Sequence, residues 1–368
     1  MIPMANLNHF RPAAGLYLAK YGRFFLLLGW LLVGAGAYSA CQSPMSDYRT
    51  EKFKLSASPA APEGYQMVIF EGDFHRSDGE TFPVPSGHRL ISGWRGSSIS
   101  WAVGDERQPA PDSLHLLWYS TVEDKFYEGR FLLPQQRIYS LLKAGYWNTE
   151  QQVAETYDEL TVLVGPKGLV VVWLAGGKNK VLIGHFRGVP TTSQFPNETA
   201  QEHAATLREE RAALPPAVQQ QIAAGTISSK QWDDYLRTYS WQVAFNQPVK
   251  LYDYGLDFLN AERTNYPPTR NLAPYAQALL AAGTRAVPAS MSLFIETEAG
   301  HRYEVRVVAF DEAETTAAFE QLHKAAPETP ITLTVELDKP LQRAQLLLQS
   351  QGQRLPLTKT KVEVFGAK

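Results

Sequence analysis

The sequence predicts an α+β fold, mainly antiparallel β-sheet with short helices, arranged as two related lobes from an internal duplication joined by a helical insert. Three observations predict it. Residues 65–70, 114–119, 125–132, 160–164, 169–174 and 180–186 are short runs rich in β-branched and aromatic side chains. Turn formers such as Pro166-Lys167-Gly168 and Gly176-Gly177-Lys178-Asn179 separate them. Residues 197–238 switch to helical spacing. The order of elements then recurs: residues 113–144 and 292–325 both read strand, tight turn, strand, helix, and three short strands follow each.

Taken from the N-terminus, the chain opens on Arg11, Lys20 and Arg23 with no acid among its first 40 residues, then on an apolar run, residues 24–37. Basic flank, short apolar stretch and the small pair Ser39-Ala40 predict an export signal over residues 1–40, too short for a comfortable membrane span. Tyr38-Ser39-Ala40-Cys41 is similar to a bacterial lipobox, with Tyr38 where Leu is usual. Cys41 is the chain's only cysteine, and lipid attachment is expected there; the alternative is an uncleaved signal anchor. Two acyl chains plus an N-terminal one would hold firmly, at about 0.8 kcal/mol per buried CH₂. Residues 41–63 are polar and rich in Pro, Ser and Ala, which predicts a flexible tether.

The first lobe is expected over residues 64–190. Val170 to Leu174 are apolar without a break, as in a central strand covered on both faces. Residues 135–144 set Ile138, Leu141 and Leu142 on one side of a helix. The insert, residues 191–238, should hold three helices: one capped by Asn197, one from Pro215-Pro216 to Gly225, and one from Ser229 with Trp232, Tyr235, Leu236 and Tyr239 on a stripe. The second lobe, residues 239–368, ends in strands, with Ile331, Leu333, Val335 and Leu337 alternating with polar residues.

Composition narrows the function classes. Without residues 1–40 the chain holds 32 basic and 37 acidic residues, which gives no electrostatic footprint for nucleic acid. One cysteine builds neither a disulfide framework nor a thiolate zinc site. Gly93-Trp94-Arg95-Gly96-Ser97 misplaces the serine of a nucleophile elbow, and no phosphate-binding glycine loop is present. The eight histidines are scattered without metal-ligand spacing; His115 and His185 fall in strand patterns. Glu123-Asp124 and Glu298 sit in expected hairpin turns, and the acids of Asp311-Glu312-Ala313-Glu314 suit a helix N-terminus. No catalytic residue, cofactor or metal is therefore expected. Trp94, Trp101, Trp118, Tyr119, Phe126, Tyr127, Trp147 and Trp173 are expected mainly in the core, with one or two outward as partner anchors.

Three segments carry a resemblance: residues 117–134 (LWYSTVEDKFYEGRFLLP), 157–176 (YDELTVLVGPKGLVVVWLAG) and 232–248 (WDDYLRTYSWQVAFNQP). With them, residues 65–262 resemble a bacterial lipoprotein family catalogued as domain of unknown function 2931. In Phe258-Leu259-Asn260-Ala261-Glu262 an Ala replaces the Gly of the family's Asn-Gly-Glu turn, which puts the turn type in question. The family has no established activity, and some members look like periplasmic immunity partners of type VI secretion lipase effectors. Signal and resemblance together imply a non-catalytic, lipid-anchored binding protein, on the outer membrane facing the periplasm, that inhibits such an effector. An envelope-maintenance or glycan-binding lipoprotein is the alternative.

Overall fold

The computed structural model describes residues 47–96, 106–193, 195 and 199–366. The export signal, Cys41, Trp101, Ser97 and the Asn197 cap lie outside the described residues. Two β-lobes follow one another, with three helices between them, as the α+β expectation required.

The first lobe comprises β1 (Ser56–Ala60), β2 (Met67–His75), β3 (Ser113–Ser120), β4 (Lys125–Leu132), α1 (Gln135–Ala144), β5 (Glu159–Val164), β6 (Leu169–Gly176), β7 (Asn179–Arg187) and β8 (Val189–Thr191). The insert holds α2 (Ala200–Ala212), α3 (Pro216–Ala224) and α4 (Lys230–Tyr235). The second lobe comprises β9 (Thr238–Phe245), β10 (Val249–Phe258), β11 (Pro288–Thr297), β12 (Arg302–Val307), α5 (Glu312–Ala325), β13 (Ile331–Leu337), β14 (Ala344–Ser350), β15 (Gln353–Pro356) and β16 (Glu363–Gly366).

Pairing follows one plan in both lobes. One sheet runs β2-β3-β4-β8 in the first lobe and β10-β11-β12-β16 in the second. The other runs β1-β5-β6-β7 and β9-β13-β14-β15. In each lobe an early strand lies parallel to the first long strand after the helix, β1 beside β5 and β9 beside β13; in the first lobe the short hairpin of residues 146–148 and 153–155 comes between α1 and β5. Even an irregularity is shared: β2 bulges at Phe70 against β3, and β10 bulges at Tyr252 against β11. That register aligns Tyr127-Glu128-Gly129-Arg130 with Tyr303-Glu304-Val305-Arg306, a Tyr-Glu-x-Arg element present once per lobe. An internal duplication accounts for this shared four-strand order; the edge strands differ, residues 81–83 and 89–90 joining β2 in the first lobe and residues 283–286 joining β9 in the second.

The tether expected over residues 41–63 is corrected. Ser56–Ala60 is buried strand, and residues 53–54 pair with 107–108. A Ser-Ala-Ser-Pro-Ala run has poor strand propensity, and β1 owes its conformation to tertiary pairing. It lies in register against β5, and Ser58 Oγ donates to Glu159 Oε1 at 2.8 Å. The first lobe thus starts before residue 64.

Strand β6 is covered on both faces, as its apolar run predicted. Val170, Val172 and Leu174 point into the first-lobe core, and Leu169, Val171 and Trp173 into a smaller core at the lobe junction. Trp94, Trp232, Leu236 and Ala261 complete that junction. Two indoles tie it to the second lobe: Trp94 Nε1 donates to the Leu259 carbonyl at 2.7 Å, and Trp173 Nε1 to that of Asn260 at 2.9 Å. Leu182 N donates to Glu262 Oε1 at 2.9 Å, and the Asn260 amide donates to Glu262 Oε2. Ala261 holds φ +64°, so the turn keeps a left-handed position without the glycine that usually supplies it. The second-lobe core gathers Trp241, Phe319, Leu333 and Val335 under α5.

Candidate binding site

The β3–β4 hairpin turns through Thr121, Val122, Glu123 and Asp124, and its two acids diverge. Glu123 is buried and structural. It accepts from Ser120 Oγ and Tyr127 Oη, each at 3.0 Å, and from Lys167 N at 2.9 Å, with Lys167 Nζ at 3.2 Å. Asp124 adopts φ +52°, a region Asp tolerates better than most residues, and its carboxylate faces the insert. The expectation of solvated turn acids holds for Glu298, which is exposed, and fails for Glu123, while Asp124 is exposed but engaged on its inner side.

Helix α2 is locked over that hairpin. Thr199 caps it, accepting from Glu202 N at 3.3 Å while its own N–H donates to Glu202 Oε2 at 2.8 Å. Arg211 donates to the Thr121 carbonyl at 2.9 Å and to that of Val122 at 3.3 Å. His203, one turn into the helix, thereby meets the hairpin: its Nε2 lies 2.8 Å from Asp124 Oδ1, and Tyr119 Oη donates to the same oxygen at 2.7 Å. Burial raises the Asp124 pKa, but hydrogen bonds from His203 and Tyr119 outweigh it and hold the carboxyl below its usual range. Burial and the neighbouring Asp124 push the Tyr119 phenol well above its ordinary value.

An aromatic wall stands beside this polar group. Phe195 packs on Tyr119 (ring centroids 4.7 Å), Phe126 (5.1 Å), Phe70 (5.4 Å) and His203 (4.9 Å). Between wall and helix lies an open cleft of about 370 Å³, edged by Lys125 and the hydroxyls of Thr191, Ser193 and Thr199. An ionised carboxylate at the end of an aromatic slot suits a ligand group that is apolar along its length and a hydrogen-bond donor or cation at its tip.

The other sequence candidates lie apart from it. Trp94, Trp118, Tyr119, Phe126, Tyr127, Trp147 and Trp173 are all buried, so among the described residues none of these is the expected outward anchor. His115 sits 3.2 Å from Glu128 on a sheet face, and His185 is exposed on β7. Among the described residues no group of three or more His, Cys, Asp or Glu side chains is placed for a metal ion. No described helix is long and apolar enough to cross a membrane. Sequence reading missed His203 and Phe195 because neither stands in a motif; the capping box at Thr199–Glu202 was the available sign of a fixed helix start nearby.

A family model described as protein of unknown function (DUF2931) matches residues 40–232, more than half of the chain. The chain belongs to this family. The DUF2931 match begins 25 residues before the segment expected at residue 65, and it ends at Trp232. Residues 233–248 and the Asn260-Ala261-Glu262 turn therefore fall outside it. The matched DUF2931 unit is one β-lobe with the insert that forms the cleft. No curated protein and no solved structure matches the chain significantly.

Proposed function

We propose that this is a lipid-anchored protein of the cell envelope, without catalytic activity, that binds a protein partner through the first-lobe cleft, as an immunity-type inhibitor of a secreted lipase effector. The observation that carries the reading is the cleft itself: a packed aromatic wall beside one ionised, 44% exposed carboxylate that a locked helix holds in place. Such surfaces concentrate binding energy in a few aromatic and charged groups. The anchor rests on the sequence, in which a basic flank, a short apolar run and the pair Ser39-Ala40 precede Cys41. A tether at the attacked membrane raises the inhibitor's effective concentration without new contacts.

Co-expression with the product of the adjacent gene tests the proposal. Rescue from a toxic envelope-targeted lipase, lost on Phe195→Ala and weakened on Cys41→Ser, is the expected result. Binding of oligosaccharides in place of any protein would move the reading to an envelope glycan-binding lipoprotein. Turnover of an ester or glycoside by the purified chain would overturn the non-catalytic assignment.

A further inference from the structure

A second cleft, of about 270 Å³, opens where the lobes meet, and a lysine forms its floor. Lys180, at the start of β7, is only 7% exposed. Its backbone is fixed, because its carbonyl accepts from Arg263 N at 2.9 Å and β7 pairs along β6. Its ammonium stands 4.6 Å from the centre of the Trp173 ring and donates one long hydrogen bond, 3.5 Å to the Arg95 carbonyl. An ammonium has three donors, and burying it with so few partners is costly. Desolvation, with Arg263 adding repulsion, pushes its pKa down to about 8.

Charged neighbours of both signs surround it. Arg95 and Arg263 line the cleft with two carboxylates, Asp158 and Glu159. Glu159 Oε1 is held by the hydroxyls of Ser58 (2.8 Å) and Thr161 (3.1 Å). Arg263 is paired with Asp257 (Nε to Oδ1 3.7 Å), whereas Lys180 forms no salt bridge among the described residues, so an anionic group on Lys180 relieves an unfavourable burial. A simple anion would meet Asp158 and Glu159 as like charges. An ammonium on the same ligand turns that repulsion into charge-assisted hydrogen bonds.

We propose that this junction cleft binds a small zwitterion, its carboxylate or phosphate held by Lys180 and Arg263 and its ammonium by Asp158 and Glu159. The site is separate from the aromatic cleft, and its test is independent of any protein partner. Calorimetric titration of the whole chain with glycine, ethanolamine phosphate, inorganic phosphate and ethanolamine reads it directly. At least one of the two zwitterions should bind tenfold or more tightly than both inorganic phosphate and ethanolamine. The preferred zwitterion tells a carboxylate ligand from a phosphate one. Lys180→Met should weaken that binding at least tenfold, and the exposed-rim variant Arg263→Gln several-fold, with the melting transition kept. Equal binding of inorganic phosphate, no heat from any probe at about 10 mM, or undiminished binding by both variants overturns the proposal.

Discussion

The two lobes share a strand plan, a bulge and a Tyr-Glu-x-Arg element, yet only the first carries the aromatic cleft. On their outward sheet faces equivalent positions agree closely. Leu132 and Val308 are both exposed apolar residues (84% and 71%), and Val189 and Phe365 flank Glu128 and Glu304 in the same register. The faces differ at the end nearest the insert. In the first lobe Phe70, Tyr119 and Phe126 are met by Phe195 and α2. In the second lobe Tyr252 lies 6.3 Å from Phe294 with the Arg302 guanidinium over it. The hairpin tips part in the same way. Asp124 holds its positive φ with its side chain engaged, whereas the second lobe's tip uses Gly300, which reaches φ +81° without a side chain. The shared scaffold occurs twice, and the insert adds the aromatic cleft to one copy.

The junction between the lobes gives the largest expected effect. Trp173→Ala removes a fully buried indole, its hydrogen bond to Asn260 and the ring under Lys180. A loss of about 3–5 kcal/mol is expected from a large-to-small change of this kind. Urea unfolding followed by tryptophan fluorescence and by far-ultraviolet circular dichroism reads it. If the junction couples the lobes, the two probes diverge in the variant and coincide in the native chain; a coincident shift in both would show the lobes unfolding as one body regardless of Trp173.

Lys180 comes next, and it sharpens the contrast because the matching position on β15, the counterpart of β7, is Arg354, which is exposed and paired with Glu336 at 2.9 Å. The folded-state pKa of Lys180 lies below its unfolded value, so the unfolded chain binds the extra proton between about pH 8 and 10.5. Stability therefore rises with pH through the lower part of that window, before the buried tyrosines begin to titrate. Lys180→Met should remove the rise and stabilise the chain at pH 7 by at most about 3 kcal/mol, at 1.36 kcal/mol per pKa unit. Thermal unfolding at pH 7 and pH 9 measures both; a less stable variant at pH 7 would mean that the ammonium is better satisfied than its contacts indicate.

Much of this architecture was legible in the sequence, and what was not has a common cause. Strands β3 to β7 and helix α1 follow from alternation, apolar runs and turn residues, all local signals. Strand β1 escaped because its partner β5 lies a hundred residues on: Ser58 and Glu159 are 101 apart. The cleft escaped for the same reason, since Asp124 and His203 are 79 apart and neither belongs to a spaced motif. Tyr127-Glu128-Gly129-Arg130 against Tyr303-Glu304-Val305-Arg306 could have been read by eye, and it marks the duplication more directly than the order of elements does.

Removing the aromatic lid should make the first lobe resemble the second. Phe195→Ala uncovers the face of Phe70, Tyr119 and Phe126, leaving the hydrogen bonds of α2 to the hairpin in place. A partner bound through the cleft should lose about 2 kcal/mol or more, the threshold of an interface hot spot, while the melting temperature moves little. Unchanged affinity would place the partner on another surface.

The smallest effect isolates Asp124 itself. Its folded pKa lies below the unfolded value, so its contribution is fully present above about pH 4 and disappears as pH falls through the folded value. The carboxylate is 44% exposed and screened, which limits that contribution to about 1 kcal/mol or less. Asp124→Asn should therefore be slightly less stable than the native chain at pH 6 and equal to it near pH 2. The second lobe supplies the control: Glu298 is exposed at the matching tip, so Glu298→Gln should leave stability flat across the same range. If both variants behave alike, the Asp124–His203 contact adds nothing to the fold, and the strained turn is kept for what the cleft binds.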